Sequence, residues 1–178
     1  ANGAREAFPV LLILQGFYLM FLGTGRVASV TAEEKESGLL DYQRMTPMSP
    51  SSKILGYLFG LPAREYFMFL LTLPFLAHCA LVGKIPLGNL LHLYAAFSCS
   101  VLLYHLTAHV IGLVVSRPRA ASWVARLAVL ALYVFLPVLG QAGISFLSFL
   151  TILPTYFGKI LPHLLAEGTE KLGRFEGQ

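Results

Sequence analysis

Two histidines four residues apart, His105 and His109 in the run LYHLTAHVIG, are the residues whose type and spacing most directly suggest chemistry. Side chains at i and i+4 share one face of a helix, so two imidazoles there are placed to hold a metal or a haem. A metal site ordinarily takes three or four ligands, and no second cluster of metal-binding residues accompanies the pair. The preferred reading is therefore that both rings face a bundle interior and hydrogen-bond to Thr, Tyr or backbone carbonyls. His78 and His92 are isolated and read as polar glue between helices. Glu65 adjoins Arg64 and reads as an interfacial ion pair or a snorkelling side chain. No carboxylate pair lies deep in an apolar run, as an ion pathway would require. No serine nucleophile elbow or metalloprotease helix motif is present, and GTGRVAS lacks the Lys and the spacing of a phosphate-binding loop. The chain is expected to catalyse nothing and to bind no cofactor itself.

The elements that carry these residues are apolar. Of the 178 residues 56% are hydrophobic and only 12% charged, against about 25% charged in globular domains. Mean hydropathy is +0.70. Four windows hold no Asp, Glu, Lys or Arg: 7–25, 66–83, 85–116 and 127–158. About 20 apolar residues cross the hydrocarbon of a bilayer, so the expectation is an all-α polytopic membrane bundle with spans at about 8–29, 65–83, 88–116 and 122–150. Pro74 is expected to kink the second span, and Gly16, Gly23 and Gly25 give the first a weak signal for close helix approach. Cys79 and Cys99 fall at depths differing by roughly 10 Å, and read as small packing residues rather than a disulfide.

The formal charge of +4 does not gather on one soluble face, so nucleic acid is not an expected partner. The basic residues mark topology instead. Arg26, Lys35, Arg44, Lys53 and Arg64 fall between the first two windows, Lys84 alone between the next two, and Arg117, Arg119 and Arg126 before the fourth. The positive-inside rule makes the first and third loops cytoplasmic. The chain as given would then begin outside, from which we expect an earlier span upstream. The tail from 151 to 178 is amphipathic rather than clearly spanning.

The polar insert TAEEKESGLLDYQRMTPMSPSSK, Thr31 to Lys53, separates the first two spans. Thr31 and Glu34 stand at capping-box spacing. A helix is expected over Glu33 to Arg44, weakened or bent at Gly38, with Leu39, Leu40, Tyr42 and Met45 forming an apolar side and Pro47 and Pro50 stopping it. A second helical stretch near Ser51, with Ile54, Leu55, Leu58 and Phe59 at helical spacing, makes an interfacial elbow into the second span. A charged surface helix joined stiffly to a span is suited to receiving force from a soluble partner.

The run RVASVTAEEKESGLLDYQRMTPMSPSSKILGYLFGLP resembles the cytoplasmic segment between the second and third spans of type-2 ABC exporter permeases, on Glu34, Lys35, Glu36, Gly38, Thr46, Pro47, Ser49, Ile54, Leu55 and Gly56, with Tyr57 where the family has Lys. The resemblance covers about forty residues, and elsewhere extends only to hydropathy. It implies that segment 31–62 couples to a separate nucleotide-binding ATPase subunit through Glu33, Glu34, Lys35, Glu36, Gly38, Leu39, Leu40, Gln43, Arg44, Thr46 and Pro47. It further implies ATP on that partner, a second permease half of the same or a different kind, and an integral location in a bacterial inner membrane. The four spans would match family spans two to five, with the tail resembling an extracellular re-entrant region. Two other classes remain: a membrane redox or metal protein built on His105 and His109, and a non-transporting membrane anchor.

Overall fold

The computed structural model describes residues 2–45, 47–141 and 152–165. Every regular element among them is helical. Helix α1 (Asn2–Gly16) passes through a wide π stretch (Phe17–Gly23) into α2 (Thr24–Glu36), followed by α3 (Leu39–Arg44) and α4 (Pro50–Leu55). A second π stretch (Gly56–Gly60) leads to α5 (Ala63–Val82), then α6 (Leu87–Val114), α7 (Pro118–Gln141) and the short α8 (Leu153–Thr155), itself continued by a π stretch (Tyr156–Ile160).

Four helices are long and apolar enough to cross a bilayer: Glu6–Glu36, Ala63–Val82, Leu87–Val114 and Pro118–Phe135. The expected all-α membrane bundle is thus the observed architecture. The apolar windows of these helices are only 17 to 39% buried, which leaves most of their hydrocarbon surface for lipid. The first is longer than expected. Its 31 residues rise about 46 Å at 1.5 Å each, well beyond a hydrocarbon core of about 30 Å. Residues 142–150 of the expected fourth span lie outside the described residues.

Contacts divide the chain into two compact units. The unit of Leu14–Leu71 and Val101–Val134 is built on small residues. Val27, Ala28 and Ala32 of α2, Ala108 of α6, and Ala121 and Ala125 of α7 form one buried cluster, edged by Leu61, Ile111 and Val115. Short side chains let helix axes approach closely, where dispersion replaces the hydrophobic drive that lipid cannot supply. The tightest approach to another helix's backbone is at Gly112, where a Cβ would stand 2.6 Å from the Ala28 carbonyl oxygen and 2.7 Å from Thr31 Cβ. This packing carries the first helix past its expected end near residue 29.

The unit of Ala1–Ile13, Thr72–Ser100 and Phe135–Gln178 buries Phe8, Leu12, Leu76, Leu93, Phe97 and Ile160; large side chains such as Tyr104 and Leu19 are buried in the other unit as well. Its α5 ends at a Schellman turn. The Ile85 N–H donates to the Ala80 carbonyl at 3.0 Å and the Lys84 N–H to that of Leu81 at 3.1 Å, with Lys84 itself left-handed at φ 51°. In the tail, Asn89 Nδ2 donates to the Lys159 carbonyl at 3.2 Å and lies 3.2 Å from His163 Nε2.

Candidate functional site

Both histidines of α6 meet other helices. His105 is fully buried, with Nε2 3.0 Å from the Leu19 carbonyl oxygen and Nδ1 3.4 Å from the Tyr66 hydroxyl. A carbonyl only accepts, so Nε2 carries the proton and, in the neutral ring, Nδ1 accepts from Tyr66. Leu19 lies in the π stretch of the first span, where widening loosens the i→i−4 ladder. Gly23 makes the approach feasible: a Cβ there would stand 2.9 Å from His105 Nε2. His109 places Nδ1 3.1 Å from Thr31 Oγ1, and its ring lies against Tyr57 with centroids 4.5 Å apart. These are the Thr, Tyr and carbonyl partners that the sequence favoured over a metal role. His78 and His92, by contrast, are exposed within their helices.

Thr31 therefore does not cap a helix. It lies inside α2, fully buried, and serves His109. The capping-box spacing was coincidental, because tertiary packing sustains the helix through this point. The expected single helix over Glu33 to Arg44 is likewise two pieces. Ser37 N–H closes α2 on the Glu33 carbonyl at 2.9 Å, Gly38 N–H donates to the Lys35 carbonyl at 3.2 Å, and Gly38 turns left-handed at φ 75° before α3. A glycine adopts that conformation without the Cβ strain of other residues. Pro50 does not stop a helix either. It opens α4 behind Ser49, whose Oγ accepts from the Ser52 N–H at 3.2 Å, and proline's fixed φ suits a first helical position.

These pieces close into a bracket. The Tyr57 hydroxyl donates to Glu34 Oε2 in a short hydrogen bond and stands 3.0 Å from Gln43 Oε1. Lys53 Nζ donates to the Gln43 carbonyl, and Lys35 Nζ donates to the Leu113 carbonyl of α6 at 2.6 Å. Arg26 Nε donates to the Leu61 carbonyl at 3.1 Å. Burial and the neighbouring Glu34 carboxylate push the Tyr57 hydroxyl above its ordinary pKa. The bracket thus ties the end of the first span to the elbow of the second and to α6.

Of the residues expected to couple to a partner, Glu34, Lys35 and Gln43 make the hydrogen bonds of the bracket, Glu34 and Gln43 half-buried and Lys35 exposed, while Glu33, Glu36, Leu39 and Pro47 are exposed. Gly38 supplies the turn, Leu40 is half-buried in α3 and Arg44 ends that helix. Thr46 lies outside the described residues. Tyr42 is 63% and Met45 77% exposed, so an apolar edge faces outward beside the acids. Tyr57 is the residue that sequence reasoning missed. The sequence marked it only as a departure from the resembled family's Lys, and nothing in the spacing pointed to Glu34 or Gln43 as its partners.

Glu65 also departs from expectation. It is only 8% exposed, and its Oε2 has no hydrogen-bond partner. With Tyr18, Leu22, Gly25, Arg26, Ser29, Arg64, Met68, Ser122 and Arg126 it lines a cavity of about 440 Å³. The Arg126 guanidinium lies 5.4 Å from the centroid of the Phe21 ring and 5.3 Å from that of Trp123. Among the described residues no group of three or more His, Cys, Asp or Glu is gathered as metal ligands would be. No protein-family model, curated protein or solved structure matches this chain.

Proposed function

We propose that this chain is the membrane-spanning permease component of an ATP-binding cassette exporter, driven by a separate ATPase subunit and paired with a second permease half in a bacterial inner membrane. The observation that supports the reading is the bracket. Force applied to the exposed edge of α3 would pass through Gln43, Tyr57 and Glu34 into the ends of two spans, because those groups are hydrogen-bonded to one another. A loop merely joining two spans has no need of such bonds. Coupling of this kind requires the docking contacts to differ between the ATPase's open and closed states, so that nucleotide shifts the spans between inward and outward access.

The test is to purify the protein from its native membranes in mild detergent, identify co-purifying subunits by mass spectrometry, and measure vanadate-sensitive ATP hydrolysis. A stoichiometric ATPase with a phosphate-binding loop is expected. Glu34→Lys and Gly38→Trp should abolish transport while the chain still inserts. Absence of any such subunit, or normal transport by both variants, refutes the reading.

A further inference from the structure

We propose that the cavity walled by Arg26, Arg64, Arg126 and Glu65 holds an aminophospholipid headgroup of the cytoplasmic leaflet, its phosphodiester on the arginines and its primary ammonium on Glu65. The inference does not depend on an ATPase partner. Three guanidinium side chains and one carboxylate line the same cavity. Arg126 lies over the Phe21 and Trp123 rings, and its Nε is buried without a hydrogen-bond partner. Gly25 leaves it room, since a Cβ there would stand 2.9 Å from both Cζ and Nη2. Arg26 is steadied through Nε on the Leu61 carbonyl, which leaves its terminal amines for a ligand.

The charge set selects the occupant. An excess of guanidinium over carboxylate calls for an anion, and arginine forks match phosphate oxygens. A plain anion, however, would leave buried Glu65 facing like charge with Oε2 still unpartnered, an arrangement that is costly in low dielectric. A headgroup carrying both a phosphodiester and an ammonium satisfies both signs. The basic residues here are those that set the cytoplasmic side by the positive-inside rule, and Trp123, 60% exposed, belongs at a headgroup interface. Basic pockets between spans on that side recognise phospholipid headgroups. Tyr18, Leu22 and Met68 give the cavity an apolar flank for the start of the acyl chains.

The experiment is native mass spectrometry of the full chain released from vesicles of equal phosphatidylethanolamine and phosphatidylglycerol. Wild type should retain phosphatidylethanolamine several-fold over phosphatidylglycerol. Arg126→Gln should lower retention of both lipids about tenfold, the loss of one charge-assisted contact of roughly 1.4 kcal/mol. Arg64→Gln, at an exposed position that tolerates change, should lower it several-fold. Glu65→Gln should leave phosphatidylglycerol retention intact and erase the preference, an effect that misfolding would not produce. Equal retention of the two lipids by wild type, or an unchanged preference in Glu65→Gln, overturns the proposal. So does displacement of bound lipid by free phosphoethanolamine at matched concentration, which would place the ligand's source in solution.

Discussion

The unit of Leu14–Leu71 and Val101–Val134 and the unit of Ala1–Ile13, Thr72–Ser100 and Phe135–Gln178 both contain long apolar helices, yet they are held by different means. In the first, alanine and glycine crossings bring backbones together, and His105, His109, Lys35, Arg26 and Tyr57 then reach partners on other elements. In the second, Phe8, Phe97, Leu76 and Leu93 are buried without a comparable alanine cluster among the described residues, and the helical histidines His78 and His92 are exposed. A bilayer rewards apolar surface wherever it faces, so lipid alone fixes neither rotation nor register of a helix. Close approach and interhelical hydrogen bonds fix both. The unit that must hold a geometry is the one with small residues and polar links.

The comparison is broken most strongly on α6, which contributes a glycine to each unit. A side chain at Gly112 meets the Ala28 carbonyl and Thr31 at under 3 Å, whereas one at Gly88 meets nothing within 4 Å. Gly112→Leu should destabilise the protein by about 3 kcal/mol or more in detergent-unfolding titrations, and Gly88→Ala should be neutral or slightly stabilising. Equal effects would mean that close packing does not distinguish the units. Next come the histidines of the same helix. His105→Ala leaves the Leu19 carbonyl unpaired beside a void and should cost about 2 to 3 kcal/mol, while His92→Ala should stay within about 0.5 kcal/mol.

Tyr57→Phe should cost about 1 to 2 kcal/mol by removing the hydroxyl that donates to Glu34 beside Gln43. Its pH dependence sharpens the test. Burial and Glu34 raise the Tyr57 pKa in the folded state, so the unfolded chain loses this proton first, near its ordinary value of about 10. The contribution is full below that pH and declines as pH rises above it toward the elevated folded value. Alkaline unfolding followed by tyrosinate absorbance should show a smaller loss of stability in Tyr57→Phe than in wild type. An identical alkaline limb in both would separate Tyr57 from the bracket.

The spans were legible because lack of charge over about 20 residues is a one-dimensional signal. Gly38 was legible as a break because glycine in a helical pattern marks a turn. Thr31 was not, because spacing to Glu34 imitates a capping box while the true partner, His109, is 78 residues away. Glu65 misled for the same reason: adjacency to Arg64 suggested an ion pair, whereas a folded surface put it in a cavity with one oxygen unpartnered. Nor does composition announce a π stretch, and without that widening the link from Leu19 to His105 could not be foreseen. Local chemistry reads along the chain, while pairings made by packing do not.

The smallest effect lies in the unit that carries the Schellman turn. Lys84 holds the left-handed position of the Schellman turn that ends α5, a place where glycine normally stands because a Cβ there crowds the following carbonyl. Ile85 is buried beyond it, and Ala80 is buried where its carbonyl accepts the Ile85 N–H, so the turn is anchored by its own apolar contact. Lys84→Gly should therefore keep the turn and stabilise the protein by up to about 1 kcal/mol, less whatever its side chain contributes. The same exchange cannot help at Gly38, where glycine already occupies the left-handed position; there Gly38→Ala should cost about 1 kcal/mol by backbone strain alone, since its Cβ would meet nothing within 4 Å. Thermal unfolding of both variants, read against each other, compares the turn strain at the two left-handed positions. Destabilisation by Lys84→Gly would show instead that the contribution of the lysine side chain outweighs the strain.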